Sequence, residues 1–374
     1  MSPAAVSLAW PPPSSGPAPS AAPPLSSGPI LRTFFGIVRC WHLDRARAMA
    51  LLDLRVNATY ANWSRQPDSA RLREGTLVRA GHVFAIHAAL RTLLAQRAVA
   101  DSWVWHANRE PLFGGRPPIE LMTTGRLEDL AMTRRYLDDL VLGGPTRARR
   151  IGGERSREAQ TVRLTWEGSV RLAPAPRSLE LLFEDTAEPE DLDTVRTVLS
   201  IPCVDERRVD ASDAAADAGR EPVAAPPALA AASDGADLDA GSPSLAALLV
   251  GAAYRAAGDR VTAIAEACAQ QLRFLTAADL PSTDVVLAAH VAGIDAVVQD
   301  LRAGADPAPP RGAEPAGAAP VDGVVYDSAE SPDGQCVELY GGHGVRAPIR
   351  GDGRVIYRWD GDRRRIVEVF DEPA

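Results

Sequence analysis

Apolar residues return every three or four positions from Ile30 onward. Leu31, Phe34, Phe35, Val38 and Trp41 form the inner face of a first helix. Asp44 opens a second helix, Arg45–Leu52, and a break at Asp53–Val56 leads to a third, Asn57–Arg65, with Asn57 as its N-cap and Val56 and Tyr60 inward. A longer helix is expected over Thr76–Gln96, with Val83, Ile86, Ala89, Leu90, Leu93 and Leu94 facing the core. Pro111–Pro118 reads as a Gly/Pro-bounded loop, Ile119–Thr123 as a short helix stopped by Gly125, and Leu127–Leu140 as an amphipathic helix. Its stripe is Leu130, Thr133, Leu137 and Leu140. Helices this close in sequence, two of them joined by a tight break, predict an N-terminal all-α helix-turn-helix bundle.

After Gly143 the pattern changes. Gln160–Trp166 reads as a strand, Glu188–Leu199 as a helix whose acidic start suits the helix dipole, and Ser244–Phe274 and Ser282–Arg302 as helices. From Val321 to Phe370, short apolar runs alternate with Gly/Asp/Pro turns and predict strands at Val324–Tyr326, Cys336–Tyr340, Val355–Trp359 and Ile366–Phe370. Met1–Pro29, Arg207–Gly241 and Asp306–Pro320 have the Pro/Ala/Ser/Asp bias of a disordered tail and two linkers. The expected division is a tail (1–29), a helix-turn-helix bundle (30–100) and a small helical cap (101–142). An unassigned α/β segment (143–205), a linker (206–243), a helical segment (244–304), a second linker (305–320) and a β segment (321–374) follow. The expected fold class is all-α, then α+β.

Charge sharpens this division. All 40 basic residues are arginine. Between Ile30 and Arg150 there are 19 arginines against 11 acids, whereas the rest of the chain carries 21 against 38. A basic block on an acidic protein suits one domain that meets nucleic acid. Cys40, Cys203, Cys268 and Cys336 form no CxxC pair, and the six histidines make no spaced ligand pair, so no metal is expected. Gly341–Gly344 reads as a turn rather than a phosphate loop. Neither a signal peptide nor a long uncharged apolar stretch is present, and a cytoplasmic protein without a membrane partner is expected.

Two helices around Asp53 have the layout of a DNA-reading unit, in which the second helix enters the major groove. Arg55, Asn57, Thr59, Asn62 and Arg65 are the outward candidates for DNA contact. An ordinary helical hairpin with solvent-facing arginines fits these residues equally well. Asp53 stands where a turn glycine is common.

Trp103–Leu140 carries a longer signature: Trp103, Asn108, Phe113-Gly114-Gly115-Arg116, Pro118, Leu121, Gly125, Leu130 and Arg135-Tyr136-Leu137. This string resembles the toxin-binding domain of Xre/MbcA/ParS-type antitoxins, and the preceding helices fit the family's N-terminal part, so the resemblance covers residues 30–142. It implies a type II antitoxin that assembles into a homo-oligomer, binds operator DNA for autoregulation and neutralises a NAD-degrading toxin of the RES class. The toxin-binding residues it implies are Asn108, Phe113, Gly114, Gly115, Arg116, Arg135 and Tyr136. Arg116 has the fork to engage a carboxylate; alternatively, the Gly-Gly-Arg loop only closes the fold.

A third segment, Asp322–Gly361, is similar to the end of a RES domain. It matches at Gly323, Tyr326, Ser328, Gly334, Cys336, Val337, Leu339, Tyr357, Trp359, Asp360 and Gly361. RES enzymes also carry an early Arg, a Gly-Arg-Trp segment, a Tyr and a Glu. No Gly-Arg-Trp precedes Asp322, and the spacing of Arg163–Trp166 and Glu266 does not put them in those roles. The expectation is therefore an antitoxin with no catalytic residue and no cofactor. The alternative is a fused toxin–antitoxin chain whose RES-like half still cleaves NAD, with Ser328 at its site.

Overall fold

Helix α1 (Ser27–Cys40) buries Ile30, Leu31, Phe34, Ile37 and Val38 against the next helices, the face its spacing predicts. The computed structural model describes residues 26–142, 160–175, 177–200, 254–302, 321–340 and 344–374. The tail expected over 1–29 therefore overlaps the first turn of α1, and its residues 1–25 lie outside the description. So do the expected linkers 207–241 and 306–320, and most of the Gly341–Gly344 turn. Asp44 caps α2 (Arg45–Leu51) by accepting the Arg47 N–H at 2.8 Å. Asp53 takes a left-handed φ of 52° in the turn to α3 (Asn57–Arg65). The N-cap of α3 is Val56 rather than Asn57, and Val56 is exposed, not inward; with the turn closed by Asp53, the chain enters α3 one residue early.

Helix α4 (Glu74–Leu93) runs through the centre of the helical body, with Arg79 to Leu93 all buried. The sequence predicts only one inward stripe there. The outer side is covered by a segment from beyond the first β-strand: α8 (Leu179–Phe183) and α9 (Leu192–Leu199), the latter preceded by a 3-10 turn at Pro189–Asp191 where a single helix is expected. Phe183, Val195 and Val198 are fully buried on α4 and α1. Arg32 of α1 grips Asp191 through two hydrogen bonds of 2.8 and 2.7 Å. Gly36 is required at this seam, since a Cβ would lie 2.4 Å from the Thr186 carbonyl oxygen. Helices α5 (Arg97–Ser102), α6 (Pro118–Met122) and α7 (Leu127–Val141) complete the body.

The remaining elements form a seven-stranded mixed sheet. They are β1 (Gln160–Pro174), β2 (Tyr254–Ala257), α10 (Arg260–Ala277), β3 (Thr283–Asp300), β4 (Gly323–Asp327), β5 (Gln335–Leu339), β6 (Val345–Asp360) and β7 (Arg365–Glu372). Strand order is β1-β2-β5-β4-β3-β6-β7, and β1 also pairs with β3. The first five strands thus close a ring, joined between β1 and β2 by Val170 opposite Ala257. Only β3 and β4 run parallel. Leu164, Tyr254, Ile294, Val298, Val337 and Leu339 fill one side of the ring; Val170, Val324, Tyr326 and Cys336 meet α10 through Ala263 on another.

Two helix expectations fail in this half. The expected Ser282–Arg302 helix is instead strand β3, Thr283–Asp300. Thr283, Val285, Leu287 and Ala289 are buried and their neighbours half-buried, so both faces are covered and the apolar run is nearly continuous. Such runs do not separate strand from helix. A register shift around His290 further hides the two-residue period. Within the expected Ser244–Phe274 helix, Tyr254–Ala257 is strand β2, and α10 starts only after Asp259, which caps it by accepting the Thr262 N–H at 2.8 Å. The four expected C-terminal strands form, three of them longer and the Cys336–Tyr340 one shifted by a residue to Gln335–Leu339, and the Gln160–Trp166 strand continues to Pro174.

The helical body and the sheet share one hydrophobic core. Phe274, Leu275, Leu280, Tyr357 and Trp359 belong to the same buried cluster as Trp41, Phe84 and Trp103. The Trp359 indole donates to the Leu280 carbonyl at 2.9 Å and the Tyr357 hydroxyl to the Ile264 carbonyl at 3.0 Å. The resemblance positions at the C-terminus therefore sit largely at packing sites. Among the described residues no helix is long and apolar enough to cross a membrane.

Candidate functional site

The residues expected to face DNA lie on an open surface. Helix α3 has no buried residue: Asn57, Asn62 and Arg65 are exposed and Thr59 is half-buried, and Arg55 in the turn before it is exposed. It rests on α1 and the Pro67–Ser69 turn more than on α2. Tyr60 meets Phe35 edge-on at 5.4 Å and carries the Arg45 guanidinium 5.7 Å above its ring. Arg55 reaches only Asp53, at 3.9 Å, with its side chain 87% exposed. Arg65 donates to the Ala61 carbonyl of its own helix at 3.0 Å. The contacts that Arg55 and Arg65 make are thus local, within α3 and the turn before it.

The Asn108–Arg116 loop is built in the opposite way. Asn108 is fully buried, and its side-chain oxygen accepts the Glu110 N–H at 3.0 Å. Its backbone exchanges two hydrogen bonds with the far end of the loop, donating to the Arg116 carbonyl (3.2 Å) and accepting from the Gly115 N–H (2.8 Å). Phe113 is buried edge-on to Trp103 (5.8 Å) and Tyr136 (5.4 Å). Burial, reinforced by the negative charge of Glu110, pushes the Tyr136 phenol above its ordinary value. Gly114 and Gly115 have φ of 59° and 82°, with open space where a Cβ would stand, so these glycines serve backbone geometry. Of the expected toxin-binding residues, Asn108 and Phe113 are buried, Tyr136 is largely so, and Gly114, Gly115, Arg116 and Arg135 remain on the surface. Arg116 and Arg135 make no ion pair among the described residues.

This loop touches the sheet half directly. The Arg109 N–H donates to the Ala277 carbonyl at the end of α10 (2.8 Å). At the C-terminal end of α7, the Leu140 carbonyl accepts the Gln270 amide of α10 at 3.2 Å.

Gln270 lies one turn beyond Glu266 on α10, and Glu266 meets Ser328. The Ser328 hydroxyl donates to Glu266 Oε1 at 2.5 Å and accepts the N–H groups of Glu330 and Ser331, both at 3.1 Å. Three partners fix that hydroxyl. Spacing alone gave Glu266 no role, because the contact joins positions 62 apart through the seating of α10 on β4. The Asp259 cap, which sets the phase of α10, is the sequence signal that points to it. Arg163 lies elsewhere, paired with Asp295 at 2.8 Å. The Arg171 guanidinium stacks over Tyr254 at 5.2 Å, toward the other end of β5, where Tyr254 pairs with Leu339 while Asp327 beside Ser328 pairs with Gln335. Arginines around the corner are engaged: Arg302 holds Asp300 (2.6 Å), Arg273 lies 3.8 Å from Glu330, and Arg255 lies 3.4 Å from Glu338. No group of metal-ligating side chains occurs among the described residues.

Among known proteins, the chain is 31% identical over 108 residues to the uncharacterised protein y4oB of Sinorhizobium fredii, a stretch covering 29% of this chain and 81% of that protein. Neither a protein-family model nor a solved structure matches the chain. Because the match spans most of that relative, the chain belongs to the family of the uncharacterised protein y4oB.

Proposed function

We propose that the chain is an antitoxin-type regulator whose helical body is docked in cis on its own RES-like half, leaving the α2–α3 face for operator DNA. The observation that carries this reading is the seat of the Asn108–Arg116 loop. In the Xre/MbcA/ParS resemblance this region binds toxin, and here Arg109 and the end of α7 rest on α10 of the same chain. The shared core supports a cis arrangement, since Phe274 and Leu275 of α10 are buried with residues of the helical body. A RES-type toxin in trans is left Gly114, Gly115, Arg116 and Arg135 as its accessible surface. The reading places the protein in the cytoplasm, without a cofactor, and as a homo-oligomer when bound to DNA. Its test is binding of the full chain to its own upstream DNA. Affinity is expected to fall by orders of magnitude between about 50 and 200 mM salt, as phosphate contacts require. No binding, or a flat salt response, removes the DNA half of the proposal.

A second reading, a NAD-cleaving activity held in check in cis, is favoured by one observation: the Glu266–Ser328 pair. A carboxylate and a serine within hydrogen-bond reach are a recurrent acid–base unit, and the resemblance asks for both. Cells producing the full chain with its docking contact loosened by Gln270→Ala, with and without Ser328→Ala, separate the readings. NAD loss that Ser328→Ala abolishes supports the enzyme, and equal NAD in both removes it.

A further inference from the structure

We propose that α8 and the turn after it form a strap over α4 that acid releases through His87. The strap lies against the outer side of α4, and its anchor is Phe183, fully buried. The His87 ring is packed between two aromatic rings, Phe183 at 5.4 Å and Trp41 at 6.0 Å, and is only 1% exposed. A neutral imidazole fits this site, whereas an imidazolium there has no carboxylate against it.

The surrounding charges point the same way. On α4 itself the neighbour is Arg91, which opposes a second cation. Beyond α8, Asp185 and Glu184 are engaged: Asp185 with Arg91 and Arg97 at 3.4 Å each, and Glu184 with Arg97. Asp101 is held by Arg91 at 2.8 Å, and the half-buried cation Arg177 faces Arg91 and Arg97. Past Trp41 the titratable neighbour is His42, which is exposed. The Leu182 carbonyl of the strap favours the charged ring, but burial outweighs it and drives the His87 pKa down to about 3.

Because His87 titrates near its ordinary 6.5 once the strap is open, each step below that value favours the open form. The device belongs to the helical body and does not depend on either functional reading. Three strap amides report on it, those of Leu182, Thr186 and Ala187, which bond to the Ser178 and Phe183 carbonyls.

Hydrogen exchange on the full chain at pH 7 and pH 5, corrected for intrinsic rates, tests the strap. Its opening constant should rise about 25-fold at pH 5, while β3 amides keep theirs. His87→Leu and His87→Phe should both remove the rise. Strap opening that ignores pH, an equal rise in β3, or a rise that persists in a folded His87 variant overturns the proposal.

Discussion

The α2–α3 face and the Asn108–Arg116 loop lie on one helical body and are built on opposite plans. Helix α3 buries none of its residues, and Arg55, Asn57, Asn62 and Arg65 point into solvent. The loop instead buries Asn108 and Phe113 and donates its Arg109 N–H to the Ala277 carbonyl of α10. A polar side chain kept out of the core costs the fold little, so the α3 face is free to be specified by a partner. Buried loop residues are specified by the fold first. The two surfaces that the sequence marks as binding elements therefore differ in kind: one is open, and the other is partly occupied by the same chain.

The comparison breaks most forcefully at the shared core. Phe274→Ala removes a side chain that is 1% exposed, and about 3–5 kcal/mol of stability should go with it. If the two halves are one cooperative unit, far-UV circular dichroism and tryptophan fluorescence will shift together in urea. Two separated transitions would show that the loop merely lies alongside α10.

A smaller effect sharpens the view of the loop. Gly115→Val forces a β-branched residue to φ 82° without any steric neighbour, and about 1–2 kcal/mol is expected from the backbone alone. Gly115→Asn should lose less, since asparagine tolerates the left-handed region. Equal losses would mean that the glycine is there for contact rather than conformation. Gln270→Ala, which deletes the bond to Leu140, should cost about 1 kcal/mol in the same assay.

On the open face the expectation reverses. Arg55→Ala should leave the urea midpoint within about 0.5 kcal/mol of the parent, as an exposed substitution does, yet lower the salt slope of operator binding by about 1. Loss of stability without loss of DNA binding would assign α3 to the fold.

How much of this was legible in the sequence depended on how many faces of each element are covered. Helices with one buried face, such as α1 and α7, show a clean period. Both faces of α4 and β3 are covered, so an apolar run conceals the period: β3 read as a helix, and the outer side of α4 gave no sign of α8 and α9. Phe183 and Val198 reach α4 from far along the chain, and no local pattern announces that contact. The site residues divide the same way. The α3 candidates followed from polarity on one helix. Glu266 stayed hidden until α10 was seated against Ser328, and the burial of Asn108 and Phe113 depended on Trp103 and Tyr136 folding over them.

Docking of the loop on its own chain can be read directly. Arg109 and Ala277 are bonded through their backbones at 2.8 Å, so the two cysteines of an Arg109→Cys/Ala277→Cys double variant lie within the span of a short bis-maleimide cross-linker. Treatment of the full chain at low concentration with that cross-linker, followed by peptide mass spectrometry, is predicted to give a 109–277 link within monomers at a yield independent of protein concentration. A link found only in covalent dimers, or no link in the folded protein, would contradict docking in cis.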